Sequence, residues 1–108
     1  MSDIEVRDAP ERGRFEIYVD GTLAGYTEYH PEGANIDFTH TEIDPAFGGQ
    51  GLGTKLVHSA LDEMHARGVG ILPHCPFVHR AVEQEPEYLA LVPATERRRF
   101  DLPPAEDQ

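Results

Sequence analysis

The sequence predicts an α+β domain built on a mixed sheet. An antiparallel N-terminal meander is followed by a crossover helix and a parallel strand, then by a short C-terminal helix. Three observations carry this. The first half shows period-2 alternation punctuated by turns, a glycine-rich turn opens an amphipathic stretch, and a short apolar run follows that stretch. The chain has 108 residues, enough for one domain, which we place at residues 1–92, with 93–108 expected as a flexible tail.

Ile4 to Val6 reads as a first edge strand. Phe15, Ile17 and Val19 then alternate with Glu16 and Tyr18, the mark of a half-buried strand. Asp20-Gly21 follows directly and favours a tight hairpin, since Gly tolerates positive φ. The next run, Thr22 to His30, is expected to break at Pro31-Glu32-Gly33. A third run, Ala34 to Ile43, is rich in Ile, Phe and Thr. Simple alternation puts His40 and Glu42 on one of its faces and Asp37, Thr39 and Thr41 on the other, with Asp37 read as solvated surface.

Asp44-Pro45 ends the meander, and Phe47-Gly48-Gly49-Gln50-Gly51-Leu52-Gly53 leads into a helix. Leu52, Leu56, Val57, Ala60, Leu61 and Met64 fall at helical spacing, with Lys55, Ser59, Asp62, Glu63 and Arg67 on the other face. Gly68 suits the left-handed residue after a helix, and Val69 to Leu72 reads as a parallel strand. Phe77, Val78, Ala81 and Val82 form one face of a short helix that starts near Pro76 and stops at Pro86. Tyr88 to Val92 is a last apolar segment, and the Arg- and Pro-rich stretch from Pro93 onward is expected to fray.

Nine Lys and Arg oppose 20 Asp and Glu, a net charge of −11 at pH 7. That balance argues against nucleic acid and against an anionic membrane surface as partners. Met-Ser-Asp-Ile-Glu-Val lacks the basic and apolar regions of a signal peptide, and Cys75 is the lone cysteine, so a reducing cytoplasm is expected. His74, Cys75 and His79 lie close in sequence, but no second Cys accompanies them and no metal is expected.

The glycine turn is the informative feature. Gly48, Gly49, Gly51 and Gly53 leave a backbone free of side-chain obstruction at a helix N-terminus, where amide N–H groups and the helix dipole attract an anion. Because the donors are backbone groups, phosphate binding is compatible with an acidic protein. Thr54 adds a hydroxyl donor. A dinucleotide fingerprint fails because Leu56 stands where its third Gly belongs. A Walker A loop fails because Thr54-Lys55 reverses the required Lys-Ser/Thr order.

An antiparallel meander, then x-x-x-Gly-x-Gly opening a helix, then a parallel strand resembles the GCN5-related N-acetyltransferases, with Gly51 and Gly53 at the small positions of that family's pyrophosphate loop. His40-Thr41-Glu42-Ile43, Pro73-His74-Cys75-Pro76-Phe77-Val78 and Pro86-Glu87-Tyr88 are similar to the small YjdJ-type branch, over about Arg14 to Val92. One departure is Gly48, where the family usually has Arg or Gln. Gln50, two residues on, is a partial substitute.

The resemblance implies a three-layer fold and an acetyl-CoA-dependent N-acetyltransferase. Its acceptor is the amine of a small molecule or a protein. A non-catalytic module binding coenzyme A or acyl-CoA is the alternative. The resemblance further implies cofactor contacts from Ile43, Gly48, Gly49, Gln50, Gly51, Leu52, Gly53, Thr54, Cys75, Pro76 and Phe77. His40 with Glu42 is either a proton relay or a structural pair. Cys75 is either a nucleophile or a small residue lining the cofactor channel. Tyr88 is either a proton donor to the leaving thiolate or a core aromatic. The helices that cover the acceptor site in larger relatives have no counterpart between the first strands. An open acceptor side is therefore expected, or one covered by a partner or a second copy.

Overall fold

The computed structural model describes residues 3–104. Five strands form one sheet: β1 Ile4–Ala9, β2 Arg14–Val19, β3 Thr22–Glu32, β4 Asn35–Ile43 and β5 Gly70–Pro73, ordered β1-β2-β3-β4-β5. The first four pair antiparallel, and β5 joins β4 in parallel. Helix α1, Leu52–Arg67, makes the crossover, and α2, Pro76–Gln84, and α3, Pro86–Leu89, follow β5.

The β2–β3 turn is the two-residue hairpin that Asp20-Gly21 predicts, with both residues at positive φ (50° and 84°) and Val19 paired to Thr22. The strand before the next turn is longer than expected. Pro31 does not break β3; it pairs with Ile36, and the chain reverses at Gly33. Only one short helical turn, Pro10–Arg12, separates β1 from β2.

The core lies between one sheet face and α1. Phe15, Ile17, Tyr29 and Phe38 from the strands meet Leu52, Leu56, Val57, Ala60, Leu61 and Met64 from α1. Burying a side chain of this size contributes roughly 1.5–3 kcal/mol. The helix therefore rests on its apolar stripe, and it ends at Gly68 in the left-handed conformation.

Pairing across the strands sorts the side chains. Phe15, Thr27 and Thr41 align in one row on the core face, and Glu16, Tyr26 and Glu42 align on the opposite face. Between Phe38 and His40 the register slips, because Glu28 pairs with His40 while Tyr29 pairs with Phe38. Thr39 is thus an extra residue, a β-bulge, and it shifts the alternation of β4 by one. Asp37 and His40 consequently share the face away from α1, whereas Thr41 turns inward. Simple alternation had separated Asp37 from His40. The bulge corrects this, and Asp37 is buried rather than solvated.

The C-terminal stretch also differs from its expectation. The backbone N–H of Ile71 donates to the Leu91 carbonyl (3.0 Å), so the chain runs back along the outer edge of β5. Two further turns, Ala94–Glu96 and Arg98–Phe100, follow, and Phe100 and Leu102 are buried in the core cluster. Arg97 ties the stretch down by donating to the carbonyls of Val92 (3.0 Å) and Leu89 (3.2 Å). Up to residue 104 the expected frayed segment is therefore a packed strap; residues 105–108 of that segment lie outside the described residues.

Candidate active site

The parallel pairing of β4 with β5 extends only from Asn35–Gly70 to Phe38–Pro73. Beyond it, the N–H of Cys75 donates to the Phe38 carbonyl (2.8 Å), and β4 continues from Thr39 to Ile43 with no strand beside it on that edge among the described residues. The sheet thus opens where β4 leads into the glycine turn.

A short turn, Pro45–Phe47, is capped by Asp44, whose carboxylate accepts from the Ala46 N–H (2.9 Å). The chain then passes Gly49 (φ 78°) and Gly51 (φ 72°), conformations that a side chain disfavours. Among the described residues, the backbone N–H groups from Gly49 to Thr54 donate to no backbone carbonyl, and the first N–H of this stretch to do so is that of Lys55, to Gly51 (3.2 Å). The residues from Gly49 to Thr54 line an open cavity of about 220 Å³, together with Ile43, Phe47, Gly48 and Phe77. Phe77 is 40% exposed, an uncovered apolar wall for this cavity. The glycine turn therefore lines an open cavity, and Ile43 and Phe77 come together at it.

Cys75 lies just inside the sheet opening. It is 2% exposed, with Sγ 3.0 Å from Thr41 Oγ1, which is itself 2.8 Å from Thr27 Oγ1. The inward turn of Thr41 after the bulge makes this contact. Pro76 occupies the first position of α2, where its missing N–H costs nothing.

His40 and Glu42 meet on the other face, Nε2 to Oε1 at 3.0 Å, and the Tyr26 hydroxyl donates to the same carboxylate (3.3 Å). The bond from His40, aided by Tyr26, holds the Glu42 carboxyl below its ordinary pKa. These groups sit on the exposed sheet surface, away from Cys75.

Tyr88 is in a third place. Its hydroxyl donates to Asp62 (2.7 Å) and its ring packs edge-on to His58. Asp62 lies ten residues beyond Leu52, about 15 Å down α1 from the glycine turn. Burial first, and the Asp62 carboxylate second, push the Tyr88 hydroxyl well above its ordinary pKa. The four candidate catalytic residues thus divide into an exposed pair, a buried thiol and a helix-anchoring tyrosine. His74, Cys75 and His79 likewise point to three partners: Asp37, Thr41 and the Phe100 carbonyl.

Sequence reading missed the contact between His74 and Asp37, Nδ1 to Oδ1 at 2.6 Å. The parallel register of β4 with β5 sets Leu72 against Asp37 and so puts His74 on the side of Asp37, and the local pattern of β4 carries no sign of that pairing.

The family model described as GCN5-related N-acetyl-transferase matches residues 14–92. The chain belongs to the GCN5-related N-acetyltransferases. Comparison with the curated proteins finds no match. Among solved structures, the chain is similar to the solution NMR structure of a GCN5-like protein from Staphylococcus aureus. Identity is 23% and the TM-score 0.64, over 86% of this chain and 91% of that one. That likeness shows the fold. The family generally uses acetyl-CoA, and the turn fits such a ligand: its amides can receive a diphosphate, and the apolar walls beside them can receive an uncharged arm.

Proposed function

We propose that the protein is an acetyl-CoA-dependent N-acetyltransferase whose acceptor is the amine of a small molecule or of a protein. The observation that carries this reading is the unpaired row of amides from Gly49 to Thr54 beside the opening between β4 and β5. Gly51 supplies the left-handed N-cap and Gly53 the close approach, while Gln50 lines the cavity two residues beyond Gly48, the position where the family usually has Arg or Gln. Acetyl-CoA supplies an activated thioester.

The chain's own residues do the rest. The amides and Thr54 bind and orient the diphosphate. Ile43, Pro76 and Phe77 flank the arm that leads inward, and Cys75 lines its end with the thiol held by Thr41. Glu42, kept anionic by His40 and Tyr26, draws a cationic amine to the open sheet face. The Cys-Pro-Phe and Pro-Glu-Tyr segments favour the YjdJ-type branch. A single reduced thiol fits a cytoplasmic setting, and the short link between β1 and β2 fits an acceptor side that is open or closed by a partner or a second copy.

The test is direct. Acetyl-CoA should raise the melting temperature of the protein, and an amine panel that includes spermidine and a lysine-containing peptide should then release free thiol. Stabilisation without thiol release for any amine would leave a binding module. No stabilisation would remove the reading.

A further inference from the structure

One buried carboxylate is not used by this scheme. Asp37 is 9% exposed, and its Oδ1 lies 2.6 Å from His74 Nδ1. A carboxylate at this distance accepts, so Nδ1 carries a proton, and in the neutral ring Nε2 is the acceptor. Phe100 from the strap meets the ring edge-on, with centroids 4.8 Å apart, which fixes its plane from the other side. Among the described residues, His74 Nε2 has no hydrogen-bond partner. The side chain is 45% exposed and borders an open cavity of about 440 Å³ between α2 and the strap.

The alternation of the chain adds a second argument. Leu72 pairs with Asp37 and Pro73 with Phe38, so His74 falls on the face of Asp37 and Cys75 on the face of Thr41. Two consecutive residues thus look to opposite sides of the sheet opening. The glycine-turn cavity reaches Phe77 on one side of α2, and the larger cavity lies against Pro76, His79 and Glu83 on the other. A thioester at the opening would be approached by its carrier from one side and by an amine from the other.

We propose that His74, positioned by Asp37, is the catalytic residue that takes the proton of the acceptor amine, and that the cavity beside it receives that amine. The inference rests on the acetyl-transfer reading above. His40 is the rival base, but it and Glu42 are 53% and 59% exposed, a pair that water screens and does not hold in one orientation. Asp37 is held from water, fixes the tautomer of His74 and stabilises the imidazolium. Nε2 takes one proton from the ammonium group. The C–N bond then forms as the thioester C–S bond breaks, the second amine proton passes to the departing thiolate, and the imidazolium returns its proton to water. The charged and titratable groups around His74 are Asp37 from β4, His79, Arg80 and Glu83 from α2, and Asp101 from the strap.

The experiment uses the full chain, with thiol release from acetyl-CoA measured against pH with spermidine and with a lysine-containing peptide. His74→Gln should lower kcat about 100-fold or more, leave the KM for acetyl-CoA unchanged and be partly rescued by added imidazole. Asp37→Asn should lower kcat and move the acidic limb of the pH profile. A His74→Gln enzyme within threefold of wild type overturns the proposal, as does a loss that imidazole leaves untouched and that comes with weakened acetyl-CoA binding. A wild-type chain that releases no thiol with either amine overturns the activity reading itself, and this inference with it.

Discussion

Gly53 and Phe77 touch across the mouth of the glycine turn: a Cβ placed on Gly53 would lie 2.7 Å from Cε1 of the Phe77 ring. The first turn of α1 and the first turn of α2 are therefore set against each other by the absence of one side chain. The same ring is the apolar wall of the cavity that we assign to the thioester carrier.

Gly53→Ala gains helix propensity but forces the ring outward. We expect about tenfold weaker acetyl-CoA binding by calorimetry with little change in stability. Gly53→Ala combined with Phe77→Ala should show a coupling of roughly 1 kcal/mol, because the clash exists only when both side chains are present. Strict additivity would show that the contact has no bearing on the cavity.

Gly51 precedes α1 with φ at 72°. Gly51→Ala should cost about 1–2 kcal/mol in urea unfolding, since only Gly holds this conformation without strain. Acetyl-CoA affinity should fall with it, as the amide at this position rotates out of the row. An unchanged midpoint would mean that the turn adopts another conformation in solution.

Much of this was open to sequence reading. The alternation of Phe15, Ile17 and Val19, the pair Asp20-Gly21 and the stripe from Leu52 to Met64 are local patterns, and local structure follows them. The row of glycines marked the turn before α1 for the same reason. The bulge at Thr39 was not legible, because it answers to pairing with β3 and not to β4's own residues. The burial of Asp37 and its contact with His74 were hidden as well, because they follow from the pairing of β4 with β5. The strap was hidden too: its Arg and Pro content reads as tail, while its order comes from Arg97 on two carbonyls and from Phe100 and Leu102 in the core.

Glu16 is buried on the sheet face away from α1, where Tyr18 donates to it at 2.7 Å, Arg14 at 2.8 Å and Arg12 at 3.0 Å. Burial works to raise its pKa, but these three hydrogen bonds outweigh burial and hold the carboxyl below its ordinary value. A folded-state pKa below the unfolded one stabilises above the unfolded value, and the stabilisation is lost as pH falls through the folded one. Glu16→Gln should therefore cost about 1–3 kcal/mol at pH 7, and the gap to wild type should close as pH drops below 4.5. Urea titrations at stepped pH check this; a gap that widens in acid would contradict it.

Tyr88 anchors α3 to α1 through Asp62. Tyr88→Phe should lower stability by about 1–2 kcal/mol, and Asp62→Asn should do nearly the same. The double variant should be no worse than either one, since a single bond is lost. Additive losses in chemical denaturation would show that the two residues act apart.

The central claim is that main-chain amides of the glycine turn hold a diphosphate, and amide-resolved NMR addresses it most directly. Acetyl-CoA should shift the ¹H–¹⁵N signals of Gly49, Gly51, Gly53 and Thr54 strongly, while S-acetylpantetheine, which lacks the diphosphate, should leave them nearly in place. Equal shifts with both ligands, or a turn that stays silent while acetyl-CoA perturbs other residues, would contradict the account.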